Sequence, residues 1–499
     1  MKWRILILSA ISLFFTACQV QENIQDGQTA YKLKKYKLAA ELLQKDFNKA
    51  ELPDEKSKIA FQIGESYANN NNYENAGEWY FKAYDLGYES EAILQYALML
   101  KAQEKYEEAL KEFEKYLLEE PYRRPEMTLE MDACKNGIAW KQRQENEYER
   151  DTYVTEITTL NSGDADFNPV IYQGDKLIFT SSRDMSTGEN NDSWTGDKYY
   201  DLYVANIKDV TSFSAPELFK GPFNAAYNDG TLAFNKDYSE VYFTRCGSDD
   251  RKVDDYCGIY VSNYLPDGGW SEPVALPFFD DTMNIGTPCL SLDGNTLFFA
   301  ATNPDGYGGA DIYMSRRTES GWDAAYNAGQ VINTSGNEVF PYFDSEGVMY
   351  FSSDKHPGLG GLDIFSATWK NNKFSNIKNM EYPINSGADD FGLILLDKKQ
   401  FINSDTLNAG YFSSNRKGGM GDDDMYFFAK TTKKLRPPVF VLKGTVLEKV
   451  YLDSLDVNST VLDTIPLDKS IATLSYPNEQ NLLGKWNIGE EGIFCIQVD

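Results

Sequence analysis

The sequence predicts a multidomain chain, helical first and all-β after: an N-terminal α-solenoid, a five-bladed β-propeller and a C-terminal partial β-sandwich. Three observations predict it. Between Phe179 and Phe428 one pattern is written five times: an aromatic strand ending in small polar residues, a turn, then a strand opening on Asp-(Ile/Leu/Met)-(Tyr/Phe). The cleanest copies are FFAATNPDGYGGADIY (298–313), YFSSDKHPGLGGLDIF (350–365) and YFSSNRKGGMGDDDMY (411–426), with degenerate copies at 179–203 and 242–260. Units of several short strands repeating at such spacing are the signature of a propeller. Ahead of them, aromatic and small residues recur 33 positions apart, Tyr73 with Tyr106 and Ala76 with Ala109, as stacked helix pairs require. After Leu435-Arg436-Pro437-Pro438 the chain reads as further strands: VFVLKGTVLEK (439–449), SIATLSY (470–476) and EGIFCIQVD (491–499).

A length of 499 residues fits about three domains, and 42% hydrophobic residues supply a core. The formal charge of −28 excludes nucleic acid as a partner, because that binding rests on cations displacing counterions from phosphate. One histidine, His356, lies in the turn KHPGLGG. It is expected to be a solvated loop residue. Ser-His-Asp catalysis, Cys-His catalysis and multi-histidine zinc sites all need more imidazole than this. No P-loop, GxSxG elbow or HExxH is present. The chain is expected not to be an enzyme and to need no cofactor and no metal.

The amino terminus reads as an address. Lys2 and Arg4 precede an apolar run from Ile5 to Phe15, then Thr16-Ala17-Cys18. That is a secretory signal over 1–17, too short to span a bilayer. With Cys18 directly after Ala17, the site resembles a bacterial lipobox. The resemblance implies cleavage before Cys18, lipidation of its thiol and a lipidated linker over 18–25. Several acyl chains give lasting attachment. Gln19, rather than Asp, implies an outer-membrane lipoprotein on the periplasmic face.

Over 26–148, Ile63-Gly64, Tyr67, Ala76, Tyr80 and Ala83 are spaced like one tetratricopeptide unit. Ala97, Leu100, Ala109, Phe113 and Pro121 form the next, and Gly27, Ala30, Tyr36 and Ala39 an earlier one. Small residues at 64, 76 and 97 let paired helices approach. An amphipathic stretch from Met127 to about Tyr148 would cap the stack. The resemblance to tetratricopeptide repeats implies a concave protein-binding groove or a spacer.

Over 152–430 each unit parses as four strands. An inner strand carries Asn168-Pro169-Val170, Thr287-Pro288-Cys289 or Phe340-Pro341-Tyr342; the aromatic and Asp-Ile-Tyr strands follow, then an outer strand such as WSEPVAL (270–276). The fifth unit lacks its own outer strand, and TYVTEITTL (152–160) is expected to supply it, closing the ring. The units resemble the TolB-like, WD-like propeller repeat of bacterial envelope proteins. The glycines at 306, 308, 309, 358, 360, 361, 418, 419 and 421 are expected to allow positive φ, and Asp311, Asp363 and Asp424 to close turns. Calcium at Asp422-Asp423-Asp424 is the less common use of such carboxylates. Two departures stand out. The insertion 185–200 carries Trp194, Tyr199 and Tyr200, candidates for contact with a partner. Cys246 and Cys257 flank a ten-residue loop and are expected to form a disulfide in an exported chain. Cys134, Cys289 and Cys495 read as single core cysteines.

FVLKGTV and GIFCIQV in 439–499 resemble parts of a carboxypeptidase-regulatory-like β-sandwich, one that the chain leaves inside a strand at Asp499, so either an abbreviated or a truncated module is expected. Lipobox, tetratricopeptide repeats, propeller and this module, in this order, resemble the PorE-like lipoproteins of the type IX secretion system. That family ends in an OmpA-like module that grips peptidoglycan. No such segment follows here, so the resemblance does not carry wall binding over to this chain. It implies a non-enzymatic, outer-membrane-anchored periplasmic scaffold or adaptor whose partners are envelope proteins, type IX secretion components among them. The alternatives are a generic envelope scaffold with a TolB-like propeller unrelated to secretion, a glycan-binding outer-membrane lipoprotein and, third, a peptidase with a propeller lid, for which the chain offers no hydrolase-sized region with a usable His.

Overall fold

The computed structural model describes residues 24–184, 186–187, 198–225, 227–247, 256–278, 283–401, 405–432, 440–445, 447–466, 471–475, 482–487 and 493–498. Cys18 and the rest of the amino-terminal signal, together with Trp194, lie outside them. Described residues up to Thr432 belong to one compact unit, and those from Phe440 on to a second.

The first unit opens with seven α-helices among the described residues: α1 (Gly27–Lys32), α2 (Tyr36–Lys49), α3 (Pro53–Ala68), α4 (Tyr73–Asp85), α5 (Glu91–Ala102), α6 (Tyr106–Glu119) and α7 (Arg124–Glu145). Helices α1/α2, α3/α4 and α5/α6 form hairpins with one shared turn. Lys34, Asn71 and Glu104 take φ of 57°, 55° and 58°, and the next residue's amide donates to the carbonyl five back, Ala30, Tyr67 or Leu100. This left-handed stop satisfies the last carbonyls of each leading helix. Two residues after each stop, Tyr36, Tyr73 or Tyr106 opens the returning helix. Close packing explains the small residues: a Cβ on Gly64 would stand 2.8 Å from the Tyr80 ring. Pro125 sits in the first turn of α7, where its missing N–H costs nothing.

Five antiparallel sheets follow as a five-bladed β-propeller. The inner strands are Asp166–Tyr172, Asn228–Phe234, Ile285–Leu290, Glu338–Phe343 and Asp390–Leu395, each at the end of its sheet. Thr152–Glu156 pairs antiparallel with Asp424–Thr431, Thr152 opposite Lys430 and Glu156 opposite Tyr426. The outer strand of the fifth blade therefore comes from the start of the domain, and the ring is closed across its ends.

Every inner strand carries a bulge at the same place. Asn168, Thr231, Thr287, Phe340 and Gly392 have φ of 54°, 35°, 50°, 53° and 62°, and the pairing register shifts beside each. The bulge turns the strand and takes an amide out of the ladder. A hydroxyl receives that amide: Asn168 N–H donates to Ser413 Oγ (2.9 Å), Thr231 and Thr287 to the Thr180 and Thr244 hydroxyls (3.0 Å each), and Phe340 to Thr287 Oγ1 (3.3 Å).

The second unit pairs its described strands two by two: Phe440–Thr445 with Ile493–Val498, Leu447–Tyr451 with Val461–Pro466, and Ile471–Ser475 with Leu482–Asn487.

Candidate functional site

The propeller face that carries the glycine-rich turns is built around two sets of carboxylates. Asp166, Asp229, Glu338 and Asp390 head four inner strands and are buried. Each accepts the amide of the residue four back, Ser162, Ala225, Thr334 or Ser386, at 2.6–2.8 Å. Three are ion-paired as well: Asp166 with Arg183, Asp229 with Arg245 and Asp390 with Arg416. Each guanidinium lies over two rings, Phe179 and Tyr203, Phe243 and Tyr260, or Phe412 and Tyr426, at 4.9–5.5 Å. Burial pushes the Asp229, Glu338 and Asp390 carboxyls up, while Arg245 and Arg416 pull Asp229 and Asp390 down.

In the fourth blade His356 takes the arginine's place. It meets Phe351 edge-on at 5.6 Å and Phe365 at a tilt at 5.2 Å, and its Nε2 lies 2.7 Å from the Ile332 carbonyl. The expectation of a solvated loop residue is corrected: His356 is half-buried and wedged. The matching arginine contact is Arg416 Nη2 to the Ile384 carbonyl, 2.6 Å.

The second set is the aspartates of the Asp-(Ile/Leu/Met)-(Tyr/Phe) strands. Asp201, Asp311, Asp363 and Asp424 accept amides of Thr187, Tyr307, Gly360 and Gly421 and so close the preceding turns. Burial pushes Asp363 up to about 7 and Asp424 up to about 6. The glycines between act otherwise than expected. Of the nine named above, only Gly418 has positive φ, at 101°. The others allow close approach: a Cβ on Gly308 would stand 2.4 Å from the Gly336 carbonyl oxygen, and one on Gly421 2.0 Å from that of Asp164.

The apolar residue inside each such strand explains the motif. Asn224, Asn333, Asn385 and Asn161 accept the N–H of Leu202, Ile312, Ile364 and Met425 at 2.7–2.9 Å. Their amides return a bond to the carbonyl of the same residue at 2.9–3.2 Å. Four of the five blades are thus clamped by the loop leading into the next.

Helices and propeller meet on this face. Leu359, in the glycine-rich turn of the fourth blade, is fully buried among Ile93, Ala97, Tyr106, Phe113 and Cys134 of the helical core. Gly387 abuts the Ala102 carbonyl, and its N–H donates to Glu104 Oε1 (3.2 Å), which is paired with Lys141. Arg143 is paired with Glu381 at 2.5 Å. Beside the junction lies a polar cleft of about 900 Å³ with Asn69–Asn72, Tyr73, Tyr200, Tyr382 and Asp423 among its walls. Burial, and then the charges of Asp389, Asp423 and Asp390, hold the Tyr73 hydroxyl well above its usual range. Of the insertion candidates, Tyr200 lines this cleft and packs edge-on against Phe167 at 5.2 Å, and Tyr199 is half-buried next to it. Cys246 and Cys257 are a directly opposed cross-strand pair joined by a disulfide, away from the cleft lining. Cys134 and Cys289 are buried and free, and among the described residues no cluster of His, Cys, Asp and Glu could hold a metal.

A second cavity, about 570 Å³, runs down the centre between the five inner strands and opens on the opposite face. Among the described residues its lining includes no Asp, Glu or His.

No family model matches this chain, and no curated protein matches it. Among solved structures it is similar to a glycoside hydrolase (10% identity, TM-score 0.37, 60% of this chain and 97% of that one). It is also similar to an endo-arabinase from Bacteroides thetaiotaomicron (12%, 0.35, 56% and 98%) and to a putative TolB from Agrobacterium tumefaciens (12%, 0.32, 70% and 97%). At such identities and TM-scores the likenesses say nothing of activity or partners.

Proposed function

We propose that this chain is a non-enzymatic scaffold of the cell envelope: a lipoprotein held at the outer membrane through Cys18, whose tetratricopeptide-type helices and propeller hold protein partners, as in type IX secretion lipoproteins. The observation that carries this reading is the engagement of the carboxylates. Cleavage of a glycosidic bond needs two of them flanking a sugar, about 5–9.5 Å apart. Among the described residues the central channel is lined by none, and Asp166, Asp229, Glu338 and Asp390 are committed to loop amides, with arginines on three. Crosslinking in cells followed by purification through a tagged copy tests it. Type IX core components in the eluate support the reading, and their consistent absence sinks it. In the same cells Cys18→Ala is expected to move the chain from the membrane to the soluble fraction.

The cleft at the junction favours one second reading, glycan capture. Successive asparagine amides offer paired donors and acceptors to hydroxyls, and tyrosine faces present apolar surface to a sugar ring. Titration with soluble oligosaccharides, with Tyr73→Ala as control, tests it. Heat that survives in the variant argues against the cleft.

A further inference from the structure

We infer that the central channel of the propeller is a binding site for a single-chain anionic amphiphile, with the tail inside and the head at the mouth. The inference is independent of the scaffold reading.

An inner propeller strand has one unpaired edge, and a tube of such edges would ordinarily expose amides and hold water. Here most of the donors near the inner end are removed or occupied. Pro169, Pro288 and Pro341 carry no N–H, so three of the five edges lack that donor. The bulge amides of Asn168, Thr231, Thr287 and Phe340 point to hydroxyls of neighbouring strands. What remains toward the cavity is largely Pro, Val, Leu, Ile and Phe. The inner end is stopped by rings: Phe340 lies on Phe391 at 4.7 Å, and Phe391 meets Phe167 at 5.9 Å. The open end lies past the last inner-strand residues, at Asn235, Lys236, Ser291 and Ser345.

Charge then selects the ligand. In a chain of net charge −28, the lining of this cavity holds, among the described residues, a single charged one, and it is a lysine. Lys236 is exposed at the mouth, just beyond the end of the second inner strand. A fatty-acid-like molecule satisfies both features: apolar surface below and a carboxylate or phosphate beside the ammonium. A peptide C-terminus fits less well, because entering end-first it would carry its carboxylate to a floor of phenyl rings. From bulge to mouth the strands run roughly 13 Å, which sets the useful tail length.

The test uses the purified full chain and displacement of a fluorescent fatty acid by alkyl carboxylates from octanoate to palmitate, below micelle formation, with the matching alcohols in parallel. Affinity is expected to rise about fourfold per added methylene and to level off once the tail spans roughly 13 Å. Lys236→Gln is expected to weaken the carboxylates about three- to fivefold and leave the alcohols unchanged. Ala233→Trp, at a half-exposed lining position, is expected to abolish both while the thermal melt stays cooperative. No displacement at any length, equal loss of acids and alcohols in Lys236→Gln, or unchanged binding in a folded Ala233→Trp would each overturn it. Should Ala233→Trp fail to fold, the length series and Lys236→Gln decide alone.

Discussion

Asn161, Asn224, Asn333 and Asn385 each hold one backbone residue by both its N–H and its carbonyl, in four different blades. For Asn385 and Ile364 the geometry is fully buried, so water cannot replace the side chain. Asn385→Ala therefore leaves two buried backbone groups unpaired and should cost about 2–4 kcal/mol, read as a shift of the urea midpoint without a change in slope. Asn385→Asp keeps the acceptor and should cost less at acid pH than at neutral. A second expectation concerns protons. Burial raises the Asp363, Asp423 and Asp424 carboxyls to about 7, 7 and 6, with neighbouring aspartates adding to Asp423. Raised in the folded state, such groups contribute stability that is fully present below the unfolded carboxylate pKa, and it is lost as pH rises toward 7. The melting temperature should thus fall from pH 5 to pH 7.5, and Asp363→Asn should flatten the fall. A profile unchanged by the substitution would remove Asp363 from the account. Local sequence shows the aspartates as turn formers, since their amide donors are near in the chain. It hides the asparagine clamps, because Asn161 and Met425 stand 264 positions apart.

At the scale of the element, the blade repeat was legible because five copies place aromatic, small and acidic residues in one order, and the missing fifth outer strand pointed to 152–160. The glycine-rich turns were legible as turns but not in their mechanics. Most of those glycines keep ordinary φ and are needed for what lies across from them: the backbone of the next blade's loop for Gly308, Gly360 and Gly421, which no local pattern displays, and an Asp or Asn side chain for the other five. The ring closure can be opened selectively. Val154 lies in the middle of the closing strand, opposite Phe428, and packs into the core between the fourth and fifth blades. Its neighbour Thr155, opposite Phe427, falls in the alternate register with Asp151 and Ile157, which bond across to the fifth blade, so Thr155→Pro removes a paired amide and clashes with regular pairing. It should lower stability by about 2–3 kcal/mol. Hydrogen exchange should then speed up first in Thr152–Glu156 and Asp424–Thr431. Uniform acceleration through all five blades would mean that closure is not a local latch.

The whole first unit turns on one leucine. Periodicity reads the helices and the propeller as separate modules, because each has its own repeat and no pattern spans both. Leu359 crosses that division: it belongs to a propeller turn yet completes the core of α5, α6 and α7. Around it Gly387 lies against Ala102 with no room for a Cβ, and Arg143–Glu381 and Lys141–Glu104 line the rim. Partly solvated pairs at a rim contribute little, about 0–1 kcal/mol each, whereas truncating a fully buried leucine costs about 2–5 kcal/mol. Packing, not charge, therefore sets the coupling. Leu359→Asp should uncouple the modules. The single calorimetric transition expected of the parent should split in two, scattering should report a longer particle, and protease should cut between Glu145 and Thr152, while far-ultraviolet dichroism stays close to the parent's. Arg143→Ala should do none of this. If Arg143→Ala separates the modules and Leu359→Asp leaves one transition, the junction is electrostatic and the buried leucine is incidental.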